Sequence, residues 1–131
     1  MPYENAWNDK GVIRTYHGDI TSHEILNSNA SIQTDPRFSE IKYIINDFTD
    51  INSCEAYAED IDAIAAIDYG SSQARNIPNK IAIVARNETL LNWAHIYCEK
   101  MKNSPYIFMI CDTADEACQW VAETIQLKQE D

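Results

Sequence analysis

Apolar positions change their spacing several times along this chain, and each change marks an element. Tyr3 to Trp7 and Val12 to Tyr16 flank the turn Asn8-Asp9-Lys10-Gly11, which predicts a β-hairpin with Gly11 at a positive φ. Gly18 is expected to break the second strand. Thr21-Ser22-His23-Glu24 has the spacing of a capping box. The helix it opens carries Ile25, Leu26 and Ile32 on one face and ends near Asp35-Pro36, because a residue before proline is pushed out of the helical region.

The rest of the chain alternates between two patterns. Lys42 to Phe48, Ile81 to Ala85 and Tyr106 to Cys111 are short apolar runs without alternation, the habit of parallel strands covered on both faces. Between them, Ile61, Ile64, Ala65 and Asp68 share one face of a helix from about Ala58 to Ala74. Leu90, Leu91, Ala94, Tyr97, Cys98 and Met101 form the core stripe of a second helix, with Asn87 as its N-cap. Thr113-Ala114-Asp115-Glu116 repeats the capping-box spacing, and Ala114, Ala117, Cys118, Val121 and Ile125 are the expected buried face of a last helix. The order β-β-α-β-α-β-α-β-α describes one α/β domain over residues 1–131, a mixed sheet with an initial antiparallel hairpin and right-handed parallel βαβ units after it.

Composition narrows the classes of function. The 131 residues, 45% hydrophobic, can bury about two-thirds of the unfolded chain's surface, which excludes intrinsic disorder. Acids outnumber bases 21 to 10, and a net charge of −11 repels phosphate backbones and anionic lipid heads, so no nucleic-acid partner is expected. The N-terminus lacks a basic start and an apolar run, and Tyr106 to Cys111 is far too short to span a bilayer, so no membrane insertion is expected. A cytoplasmic location follows as the expectation, with Cys54, Cys98, Cys111 and Cys118 as free thiols, at least three of them buried.

The order of elements resembles the SpoIIAA-like fold of STAS domains. Gly18-Asp19-Ile20-Thr21, Asp35-Pro36-Arg37-Phe38, Ile45-Asn46-Asp47-Phe48-Thr49-Asp50, Ile81-Ala82-Ile83-Val84-Ala85 and Asp115-Glu116-Ala117-Cys118-Gln119-Trp120 resemble a stand-alone bacterial family described as STAS-like or, loosely, CRAL-TRIO-like. STAS regulators carry a phosphorylatable serine at the start of the helix after the third strand. The matching stretch here is Cys54-Glu55-Ala56-Tyr57, and Ser53 lies about three positions early, so the resemblance implies a chain without that switch.

Several side-chain groupings are candidates for function. Seven acids and no Lys or Arg fall between Tyr43 and Ala74; Glu59, Asp60 and Asp62 suit a helix N-terminus, and with Glu55 they could form a docking face for a basic partner. Asp47 and Asp50 lack the spacing of a calcium loop, and no metal or other cofactor is expected. Trp93, Ile96 and Lys100 make a ridge beside the core stripe, which either widens the buried face or anchors a protein contact, a homodimer being the default form. His95 and Cys98 could pair as a nucleophile, but Cys98 belongs to the core stripe, where burial raises a thiol's pKa. No catalytic residue is assigned. The leading expectation is a non-catalytic interaction or regulatory module; the alternative is a site for a small apolar or amphipathic ligand between helices and sheet, lined by Tyr57, Ile61, Trp93 or Tyr97.

Overall fold

A computed structural model of the chain describes residues 2–75 and 80–130, the side chains of 74, 75 and 124–130 excepted. The elements are β1 (Tyr3–Trp7), β2 (Gly11–Thr21), α1 (Ser22–Gln33), a 3-10 turn (Pro36–Glu40), β3 (Tyr43–Glu55), α2 (Ala58–Arg75), β4 (Lys80–Val84), α3 (Glu88–Lys100), β5 (Ile107–Cys111) and α4 (Ala114–Glu130). Their order is the one the apolar pattern predicts.

The five strands lie in the sheet in sequence order. β1 runs antiparallel to β2, and β2 to β5 are mutually parallel. Parallel crossovers are right-handed, so three that advance in one direction place α1, α2 and α3 on the same face. Val12, Ile44, Ile81, Phe48 and Ile83 point to that face, where they pack with Ile32, Ala65, Leu90, Ala94 and Met101. The opposite face receives α4, which buries Ala117 and Val121 against Ile45, Ala82, Val84 and Cys111. One helix cannot cover that whole face, and Ile107 and Met109 on the edge strand β5 stay exposed.

Local chemistry sets the element ends. Thr21 accepts from the Glu24 amide at 3.2 Å while the Glu24 carboxylate accepts from the Thr21 amide at 2.9 Å, a complete capping box. Asn87 caps α3 by accepting from the Leu90 amide at 3.0 Å. Thr113 accepts from the Glu116 amide at 3.1 Å at the start of α4.

Four expectations need correction. β2 runs on through Gly18, which takes φ +76° with open space around its α-carbon; the glycine supports an irregularity in the β2–β3 pairing and does not end the strand. β3 likewise runs on to Glu55, because its polar second half pairs with residues 17–21 of β2 beyond the reach of β4. Gly11 does not take a positive φ; it is required because the Tyr43 ring lies across it. Cys118 is exposed and only Cys111 is fully buried, Cys54 and Cys98 being intermediate, since Ala117 and Val121 carry the inward stripe of α4. The Ile125 side chain lies outside the described residues.

Candidate functional site

Between α1–α3 and the sheet lies a cavity of about 80 Å³, partly open to solvent. Strand alternation decides what reaches it. Arg14 on β2, Asn46 on β3 and Ile83 on β4 stand side by side in adjacent registers and have the same inward parity. Most of the wall is aliphatic or aromatic, but Arg14, Asn29, Gln33, Asn46, Asp68 and Tyr97 place polar atoms in it.

All of these except Asn46 join one network across four elements. Arg14 is 2% exposed, and its Nη1 donates to Ser28 Oγ at 2.6 Å, Asn29 Oδ1 at 2.6 Å and Tyr16 OH at 3.0 Å. Tyr16 in turn donates to Ser28 Oγ at 3.2 Å and stacks on Phe48, ring centroids 4.4 Å apart. Asn29 passes the connection on: its Nδ2 donates to both oxygens of Asp68, at 3.1 and 3.3 Å. Arginine can only donate and a carboxylate can only accept, so the Asn29 amide between them has one possible orientation. Gln33 Nε2 at 2.6 Å and Tyr97 OH at 2.6 Å complete the set of donors to Asp68. A buried charge pair is therefore linked through an amide, and it ties β2, α1, α2 and α3 together around the cavity.

Burial pushes the Asp68 carboxyl above the ordinary range, against the opposing pull of Tyr97, Gln33, the Arg14 charge and Asn29. Three donors aimed at its oxygens suit the ionised form. Burial also pushes Tyr97 well above its usual range, with the Asp68 charge beside it adding to the shift, so it acts as a donor. A carboxyl raised on folding takes up a proton more readily in the folded state. Its contribution to stability is present below the unfolded-state value and is lost as pH rises through the folded-state value. The unfolding free energy of the wild type, relative to Asp68→Asn, should therefore rise as pH falls through the folded-state value towards the unfolded-state one, by about 1.4 kcal/mol for each unit of elevation. Urea denaturation at a series of pH values measures this, and a difference that stays flat would refute it.

Of the four residues named for a ligand cavity, Ile61, Trp93 and Tyr97 line this one. Tyr57 does not: it is 46% exposed and donates to Glu55, one residue outside α2. The acidic face is largely engaged within the chain. Asp60 accepts from Ser22 Oγ at 2.7 Å, Asp62 pairs with Lys100 at 2.8 Å, Glu55 accepts from Tyr57, and Glu59 is exposed. Ile96 is half-buried on α3 beside them. Asp47 is occupied by the Thr49 amide and hydroxyl at 3.0 and 2.7 Å. Burial holds the Cys98 thiol up at about 11, so it stays protonated at neutral pH, and His95 is exposed. Ser53 lies within β3 and donates to Asp19 at 2.8 Å; the hydroxyl at the start of α2 comes from Ser22, which accepts from the Tyr57 amide.

Arg14, Asn29, Gln33 and Asn46 are the site residues that sequence reasoning missed. For Arg14 and Asn46 the signal is strand parity, since Arg14 alternates with Val12 and Tyr16, and Asn46 with Ile44 and Phe48; Asn29 and Gln33, on α1, carry none.

No protein-family model matches this sequence, and no curated protein does. Among solved structures, the chain is similar to the anti-sigma factor antagonist SpoIIAA in its unphosphorylated form, at 14% identity and a TM-score of 0.57, covering 92% of this chain and 97% of that one. It is also similar to an uncharacterised DUF3478-family protein from Shewanella loihica PV-4, at 17% identity and a TM-score of 0.53, covering 91% and 89%. Likeness at such identity speaks to architecture: the chain has the SpoIIAA-like, STAS-like fold.

Proposed function

We propose that this chain is a non-catalytic binding module whose site is the cavity under α1–α3, and that it takes a small amphipathic molecule there. The observation that carries this reading is a mostly apolar cavity, partly open to solvent, with a buried ionic network in its wall. A few placed polar groups in an apolar recess are what orients a small ligand. Size limits the ligand: an engineered apolar cavity of about 150 Å³ holds benzene, so about 80 Å³ takes a fragment or the end of a longer molecule. Docking of a basic partner on the acidic face has less support, since Asp60, Asp62 and Glu55 already have partners within the chain.

Native mass spectrometry of the tagged full chain, purified from its own cells, tests the reading. The expected result is an added small mass that is lost on denaturation. Ala94→Leu, which fills the cavity wall, should lose the added mass while keeping a cooperative melt. A wild type that carries only its polypeptide mass, or an Ala94→Leu variant that retains the adduct, would sink the proposal.

A further inference from the structure

Two polar atoms in the cavity wall have no hydrogen-bond partner among the described residues: Arg14 Nε and Asn46 Oδ1. Both are buried, and their residues occupy neighbouring registers on β2 and β3, facing the same space. A buried polar atom left unpaired costs about 1–3 kcal/mol, so a fold that keeps two side by side calls for a group to pair with them. One is a donor and the other an acceptor. The charge beside them is already balanced, because Arg14 faces Asp68 through Asn29. An anion in this recess would leave one negative charge without compensation, next to the Asp68 carboxylate.

We infer that the cavity selects ligands with an uncharged head that both accepts and donates a hydrogen bond, a primary carboxamide being the simplest. Its carbonyl accepts from Arg14 Nε–H, its N–H donates to Asn46 Oδ1, and its apolar end lies toward Ile61 and Trp93 at the aliphatic wall. This rests on the cavity being the binding site, as proposed above. Were the Asn46 amide turned to present its N–H instead, the recess would offer donors only, and a carboxylate head would be preferred.

Butyramide and butyrate, nearly equal in shape and differing in charge, separate these cases. The side-chain N–H signals of Arg14 and Asn46 in the ¹⁵N-labelled full chain report on the two contacts directly. At neutral pH, butyramide should shift both signals saturably, with butyrate at least about tenfold weaker. Binding of butyrate as tight as that of butyramide would overturn the head-group inference and leave the cavity reading standing. If neither probe moves either signal at tens of millimolar, and Arg14 Nε–H exchanges magnetisation only with water, both readings fall. Asn46→Leu supplies the second arm. It removes an unpaired atom, so it should melt no lower than the wild type and bind butyramide about tenfold more weakly. A strongly destabilised Asn46→Leu would mean that the Asn46 side chain has a structural role, and would overturn the inference.

Discussion

Asp68→Ala should destabilise the fold by about 3–5 kcal/mol, more than any exposed charge in the chain. The substitution removes the acceptor for Asn29, Gln33 and Tyr97 together and leaves the Arg14 guanidinium buried without its counter-charge. Arg14→Met should cost a comparable amount from the other end, stripping Ser28, Asn29 and Tyr16 of their donor. Because both residues belong to one network, the double variant should lose less than the two singles added together, by about 1–3 kcal/mol. Once both charges are gone, neither is left uncompensated. Asp62→Ala is the control: its partner is Lys100, both side chains are well exposed at 62% and 41%, and such a pair contributes about 0–1 kcal/mol. Chemical denaturation of the four variants settles the matter. Strict additivity, or an Asp68→Ala cost no larger than that of Asp62→Ala, would show that the network does not couple β2 to α1–α3.

How much of this was legible beforehand depended on whether local pattern or tertiary placement carried the information. Element order, the capping box at Thr21 and the Asn87 cap are local, and they read correctly. Asp68 was visible as an acid in register with Ile61, Ile64 and Ala65, on a face that proves to be buried. Its donors on α1 were not visible, because Asn29 and Gln33 lie on a polar helix whose inward side shows only when α2 packs against it. Asn46 was hidden differently. Inside the continuous apolar run from Lys42 to Phe48 it reads as one residue of a strand covered on both faces, although Ile44 and Phe48 flank it at two-residue spacing on the same face. Trp93 reads from the sequence both as a ridge beside the core stripe of α3 and, with Tyr97 of that stripe, as the wall of a cavity. Only the position of that helix over Ile83 and Phe48 shows that both border one cavity.

Gly11→Val should cost about 3 kcal/mol, and the cause lies across the sheet, outside the turn that Gly11 closes. A β-carbon at this position would come within 2.5 Å of Tyr43 Cε1 and 2.6 Å of two further ring atoms, closer than packed carbons can approach. The ring has little freedom to move, since its hydroxyl accepts from Asn8 Nδ2 at 2.8 Å, and Asn8 accepts from the amides of Lys10 and Gly11 at 2.8 Å each. Gly11 pairs directly with Tyr43 at the start of the β2–β3 ladder, so displacing the ring disturbs the register from which the Arg14–Asn46 row follows. Backbone freedom is a small part of the cost, because Gly11 does not take a positive φ. Two variants separate the causes. Tyr43→Ala, combined with Gly11→Val, should recover stability relative to Gly11→Val, since the space claimed by the new side chain is then free. At Gly18 the order reverses: nothing lies within 4 Å of a β-carbon, yet φ is +76°, so Gly18→Val is strained by backbone conformation and Tyr43→Ala cannot relieve it. If Tyr43→Ala fails to rescue Gly11→Val, the steric account of this glycine is wrong.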